Sequence, residues 1–334
     1  MATFQRDFNL DTIIEHVRRC GNGAVSLLFE SWVLPGEMGA HNGLRIAIRN
    51  RYLNLYVGGQ SVAKISTSAN GVRLKLHRKY YEGWKKGSAE AKSCGQQMVS
   101  LSDTDLRDPE CSRRANVWVQ TAAGYCGSEK LFVEDLIASN PNVIDMEIAL
   151  PADDRLIGPD GKKAAPRMDL ALVDTHNAPI AVNFWEAKMA ENPDLRARDE
   201  IDVAAGRGAK VAFQLGKYET WLGLAGREDE VREAFGEAGS ILVELAEFFG
   251  KSGPAVQVWS QLRDTSVNVN VVRRPGVVVG NYTPQIEPDS EDGNRSKSGS
   301  FGSHRKRLEN LQYKVIEVQA ANSSEAILPS LPEH

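Results

Sequence analysis

The sequence predicts an α/β protein: a mixed central sheet flanked by helices, preceded by a β-rich module. Three observations lead there. Residues 128–224 run in the order helix, strand, strand, strand, helix. Residues 44–77 hold short alternating apolar runs broken by polar turns. The 334 residues are 42% hydrophobic and 25% charged, a composition that can bury a sizeable core in water.

Taken in order, residues 6–19 predict a helix, with Phe8, Ile13, Ile14 and Val17 at helical spacing and Gly21 as a stop. "LRIAI", "YLNLYV", "GGQSVAKI" and "GVRLKLH" predict a small antiparallel meander with one solvated face; Val72, Leu74 and Leu76 point inward, Arg45 and Arg49 outward. Residues 85–115 carry few large apolar side chains and present themselves as a connector. "SEKLFVEDLIASNP" predicts a helix with Ser128 as N-cap and Leu131, Phe132, Leu136 and Ile137 as its apolar stripe. "VIDMEIALP" predicts a strand, and residues 167–189 a hairpin around the turn "DTHNAP". Two helices follow, "AKVAFQLGKYETWLG" and residues 228–250, then strands at "AVQVWSQL" and "SVNVNVVRRPGVVVGNY". The expected domains are 1–115, an N-terminal helix, antiparallel module and connector; 116–285, the α/β core; 286–303, a polar disordered linker; and 304–334, a basic tail.

Composition also excludes some classes. No run approaches the roughly 20 apolar residues of a membrane helix, and "MATFQRDFNLD" lacks a secretory layout. Four scattered cysteines without a C-x-x-C pair argue for reduced thiols, and a cytoplasmic location is expected. A formal charge of −4 argues against a generic nucleic-acid sponge but leaves room for a local basic groove.

The hairpin "RMDLALVDTHNAPIAVNFWEAKM" poses the functional question, because a packed sheet gains nothing from three charges at neighbouring strand ends. Side chains alternate along a strand, so Ile180, Val182, Phe184, Glu186 and Lys188 share one face, while Asp169 points opposite to Leu170 and Leu172. If the strands pair, the three charged groups can meet at one end of the sheet. Two carboxylates suit a hard divalent cation such as magnesium, which binds one or two carboxylates, waters and phosphate. A lysine beside them can hold or deprotonate a water. The plainer alternative is a surface ion pair.

"D-(x)16-E-x-K", with its acids on adjacent strands, resembles the PD-(D/E)xK nuclease superfamily. Upstream, "SEKLFVEDLIASNP" resembles the first helix of that fold, Glu129 matching its site-facing glutamate best and Glu134 second. Downstream, "FQLGKYETWL" holds Q-x-x-x-Y, Gln214 and Tyr218, four apart on one helical face, as in RecB-like members. The ordered set also looks like NucS-type and restriction-type members, and it covers about residues 125–225. Met168 stands where the name-giving proline would, with Pro166 two places before it.

The resemblance implies a restriction-endonuclease-like core and a magnesium-dependent nuclease, manganese substituting. Asp169, Glu186 and the Ala187 carbonyl would hold the ion and Lys188 would orient the attacking water. Glu129 would complete the shell or serve a second metal, while Gln214 and Tyr218 would position the lysine or phosphate. It favours DNA over RNA and a setting of restriction, repair or phage defence, with a homodimer or a partner protein also compatible. An inactive nucleic-acid-binding or scaffold protein, or an RNA-processing endonuclease, are the alternatives. For nucleic-acid contact the sequence offers Arg167 and "RLKLHRKYYEGWKK", where Arg73, Lys75, Arg78 and Lys79 interleave with Tyr81 and Trp84. The same stretch also suits a solvated sheet face with its aromatics in the core.

Overall fold

A computed structural model describes residues 3–37, 43–156, 165–175, 179–195, 209–264, 268–281, 301–319 and 326–331. The chain divides into two compact units. One, the meander unit, comprises Gln5–Ile144 with Glu233–Val267; the other, the mixed-sheet unit, comprises Met1–Phe4, Asp145–Arg232 and Asn268–His334.

The meander unit opens with two helices, α1 (Asp11–Cys20) and α2 (Ala24–Glu30), where the sequence predicts one over 6–19. Strands β1 (Arg45–Arg49), β2 (Tyr52–Val57), β3 (Gln60–Ser68) and β4 (Gly71–His77) then pair antiparallel in sequence order. In β4, Val72, Leu74 and Leu76 are buried and Arg73 and Lys75 exposed, the alternation of a sheet with one wet face. β1 departs from expectation, since all five of its residues are buried. Arg45 donates to the carbonyls of Val33, Leu34 and Glu37 and pairs with Glu134 at 2.7 Å, so its charge is satisfied internally.

Helix α3 (Arg78–Glu82) follows β4 directly. The expected connector over 85–115 holds α4 (Ala89–Ser93), the edge strand β5 (Met98–Leu101) paired to β4, and the first turns of α5 (Pro109–Ala123). The anticipated boundary between residues 115 and 116 falls inside α5, whose Ala115, Trp118, Val119 and Ala122 form one buried stripe. Helix α6 (Ser128–Ser139) lies where the sequence predicts it, although Gly127 is its N-cap and Leu131 is exposed.

A division between units falls within β6 (Val143–Ala149), which borders β7 (Arg167–Asp174) of the mixed-sheet unit, and β7 runs antiparallel to β8 (Ile180–Met189). Residues 176–178 of the expected turn lie outside the described residues. Helix α7 (Lys210–Leu222) comes next, then α8 (Arg227–Phe248), within which another division between units falls.

The strand expected at "AVQVWSQL" is instead helix α9 (Pro254–Arg263), part of the meander unit. Ala255, Val258, Trp259 and Leu262 are buried at helical spacing, and Pro254 sits in the first turn, where its missing N–H is harmless. The Trp259 indole N–H donates to the Val143 carbonyl at 3.2 Å, and its ring lies parallel to that of Trp32.

Strands β9 (Val269–Val271) and β10 (Gly276–Gly280) both run parallel to β8. After α10 (Phe301–Asn310), β11 (Val315–Val318) adds parallel to β10. The linker expected over 286–303 lies, up to residue 300, outside the described residues, and the expected tail contributes α10 and a sheet strand. The outcome is a mixed α/β architecture: a central sheet flanked by helices and a separate N-terminal antiparallel module. Among the described residues no helix is long and apolar enough to cross a membrane.

All ten residues of β8 are buried, as the middle of a sheet requires. Trp185 projects onto the face opposite Glu186 and lies against Gly276, its register partner on β10. A Cβ at Gly276 would sit 2.5 Å from the indole ring, inside any real contact distance. Gly276→Ala is therefore expected to cost about 1–3 kcal/mol by overpacking, read as a lower urea midpoint with unchanged slope.

Candidate functional site

The register of β7 on β8 sets Leu170 opposite Trp185 and Ala171 opposite Phe184. Continued by one residue, it sets Asp169 opposite Glu186, and opposite residues of an antiparallel pair share a face. Lys188, two further along β8, shares that face too. The hairpin thus brings all three charged groups together. The Lys188 ammonium is 2.5 Å from Glu186 Oε1 and 3.8 Å from Asp169 Oδ2, and it donates to the Ala187 carbonyl at 3.1 Å. The Ala187 amide donates to Asp169 Oδ2 at 2.8 Å, so the aspartate caps the ladder where main-chain pairing ends.

This cluster is largely out of water: Glu186 is 1% exposed, Lys188 8% and Asp169 18%. Burial first, and the charge of Asp169 second, push the Glu186 carboxyl up to about 8 against the opposing pull of Lys188. The Gln214 amide lies near enough to favour the ionised form, but its hydrogen bond, 3.0 Å long, goes to the Arg167 carbonyl. Glu186 Oε2 is left buried with no hydrogen-bond partner among the described residues. An orphaned acceptor of this kind calls for a missing water or cation. With both acids ionised the cluster carries one negative charge in excess.

The donor set is therefore two carboxylates and a main-chain carbonyl, all hard oxygen ligands, gathered around one positive charge. The Lys188 ammonium faces each of these oxygens. Among the described residues no three His, Cys, Asp or Glu side chains cluster to hold a metal. The residues present fit a magnesium-type ion that keeps most of its waters, and they do not form an all-protein cage.

Helix α7 closes the same face of the sheet. Val211, Leu215, Tyr218, Trp221 and Leu222 are its buried side. Tyr218 is fully buried, its ring tilted against Phe184 at 5.1 Å between centroids, so it packs the floor of the site. Gln214 stands one turn earlier, at the rim. Arg167 begins β7 there, 64% exposed and paired loosely with Glu147 at 3.4 Å.

The remaining expected site residues belong to the meander unit. Glu129 is half-buried in the first turn of α6, and Glu134 is committed to Arg45. Arg73 and Lys75 face outward from β4, and the register adds Lys64 of β3 opposite Lys75. The parity of β3 is the signal that would have revealed that third cation. The aromatics beside them are engaged within the unit: Arg78 lies over Trp84 at 5.8 Å, Lys79 over Tyr125 at 4.2 Å and Arg114 over Tyr81 at 4.3 Å. Sequence reasoning also passed over Lys210, Phe213 and Lys217, which join Arg167 and Gln214 around a cleft of about 350 Å³. Their spacing on α7, three, four and seven residues from the first, was the available sign.

No family model, no curated protein and no solved structure matches this chain.

Proposed function

We propose that the chain is a metal-dependent nuclease of the PD-(D/E)xK type, hydrolysing phosphodiester bonds, with DNA as the favoured substrate. One observation carries the reading: Asp169, Glu186 and the Ala187 carbonyl converge on a single cationic group at the end of a buried hairpin. The mixed sheet supports it, with β8 antiparallel to β7 and parallel to β10, and so does the helix that follows with Gln214 at the site.

In this reading Asp169, Glu186 and the Ala187 carbonyl would hold a magnesium ion, with manganese able to replace it. When bound, such an ion stabilises charge on the phosphate and lowers the pKa of a coordinated water. Lys188 would orient the attacking water; its ammonium rests on the Glu186 carboxyl and the Ala187 carbonyl in the metal-free chain and would be released for that role once an ion takes those oxygens. Burial of Glu186 and the packed floor of Phe184 and Tyr218 keep bulk water away and strengthen each electrostatic contact. Gln214 ties the helix to the start of β7, holding the rim against which a phosphate would lie. The water's oxygen adds to phosphorus in line with the leaving oxygen, the P–O bond to that oxygen breaks, and the proton the water gives up ends on the leaving oxygen.

The test is incubation of single- and double-stranded DNA and RNA with the protein in magnesium, manganese or EDTA. Cleavage is expected with either metal and not in EDTA. Asp169→Asn and Glu186→Gln, which keep side-chain shape, should each slow it by about 10²–10⁴-fold, the range associated with losing a positioned acid, base or electrostatic partner. Binding without any wild-type cleavage would return the chain to the class of nucleic-acid-binding scaffolds, and cleavage of RNA alone to RNA processing.

A further inference from the structure

The cleft at the rim has a chemistry of its own. It holds about 350 Å³ between the start of β7 and one stripe of α7, with Arg167 on one side and Lys210, Phe213, Gln214 and Lys217 on the other. The four helical residues stand at i, i+3, i+4 and i+7, one continuous face. That face is separate from the buried stripe of Val211, Leu215 and Tyr218, so α7 presents one side to the core and a second to the cleft.

Ala165 and Pro166 complete the lining beside Arg167, and three of the seven residues are cations. Arg167 and Lys210 are 64% and 80% exposed and, among the described residues, form only solvent-screened pairs with Glu147 and Asp194. Lys217 has no ion pair among the described residues. Phe213, between the lysines, is 42% exposed, one of few large apolar side chains left in water among the described residues. The two lysines span about 10 Å along the helix.

We propose that this cleft binds a single strand of nucleic acid, a base stacking on Phe213 while Lys210, Lys217 and Arg167 take backbone phosphates on either side. An aromatic between cations is the pairing such strands require, and only an unpaired base offers its ring face. Duplex would leave Phe213 unused, because paired bases are already stacked. Arg167 lies two residues before Asp169 on β7 and Gln214 reaches the Arg167 carbonyl, so a strand in the cleft leads directly to the carboxylates. The inference rests on the nuclease reading for its biological sense and goes beyond it in naming the form of the substrate and the residues that choose it.

Fluorescence anisotropy of labelled oligonucleotides with the full chain in EDTA tests this apart from catalysis. The arms are single-stranded DNA, single-stranded RNA of the same sequence, and duplex DNA. Phe213→Ala should weaken single-strand binding by about tenfold and leave duplex binding unchanged. Lys210→Ala with Lys217→Ala should reduce the salt slope for single strands by about 1.4. All three side chains are exposed, so circular dichroism should show an unaltered fold. Dependence on Phe213 in either single-strand arm supports the assignment, and the tighter arm identifies the sugar. Equal binding by wild type and Phe213→Ala, or an equal loss on duplex, overturns it. Phe213-dependent binding without cleavage would leave this site standing and remove the nuclease reading; cleavage indifferent to Phe213 would do the reverse.

Discussion

At pH 9, where both acids are ionised, Lys188→Ala is expected to destabilise the metal-free chain by about 3–5 kcal/mol, because it strips a buried carboxylate of its counter-charge. Glu186 is 1% exposed and opposite Asp169, and the ammonium is the cation that holds the two acids together. In thermal unfolding the loss should appear as a drop of roughly 4–7 °C. The cost belongs to the pair rather than to the lysine stem, so Lys188→Ala in a Glu186→Gln background should cost less, by about 1–3 kcal/mol of coupling. Divalent cations add a second signature. Magnesium or manganese should raise the unfolding temperature of Lys188→Ala more than that of wild type, since the ion no longer competes with an ammonium for the same oxygens. An additive cycle would show that the ammonium is not held between the acids. Unfolding temperatures indifferent to metal in both proteins would remove the cation site altogether.

Why this cluster was legible and other parts of the fold were not comes down to the range of the forces involved. Strand parity is a local property, so once "RMDLALVD" and "IAVNFWEAKM" are recognised as strands, Glu186 and Lys188 are confined to one face and Asp169 to the side opposite Leu170; that these are the same face follows from the pairing register. The placement of Gln214 and Tyr218 on one side of α7 follows equally from a local period. "AVQVWSQL" misleads for the same reason. Val256 and Val258 alternate as a strand would, yet Pro254 and the spacing of Ala255, Val258, Trp259 and Leu262 mark a helix, and a short apolar run carries both periods. Strand β5 hides in the expected connector because an exposed edge of four residues needs little apolar character; Met98 itself is 51% exposed. Strand β11 pairs with β10 across a long separation, and nothing near "VIEV" announces its partner. Glu129 shows the limit most clearly. Its helix is evident in the sequence, but assignment of that helix to the meander unit depends on tertiary contacts that no local pattern encodes.

A comparably large effect is expected outside the carboxylate cluster, at Asp153. Its carboxylate is fully buried and takes two guanidinium groups, pairing with Arg155 at 2.8 Å and closely with Arg227, itself 1% exposed. Arg227 also pairs with Glu230 at 2.5 Å and lies over the Trp221 ring at 4.6 Å, while Glu230 accepts the main-chain N–H of Phe4. One buried hub thus ties the loop after β6, the start of α8, the end of α7 and the N-terminal segment of the same unit. Asp153→Ala leaves the Arg227 guanidinium buried with half its compensation and is expected to cost about 3–5 kcal/mol at neutral pH. The hydrogen bonds from Arg155, and then from Arg227, hold the Asp153 carboxyl well below the ordinary aspartate range. A carboxyl depressed in the native state binds fewer protons there than in the unfolded chain, so its contribution is complete above the unfolded value near 4 and is lost as pH falls toward the native one. The difference in urea-unfolding free energy between wild type and Asp153→Ala should therefore be constant from pH 7 to about 5 and narrow below 4. A gap that persists undiminished at pH 2–3 would mean that the aspartate acts through shape and not through its charge.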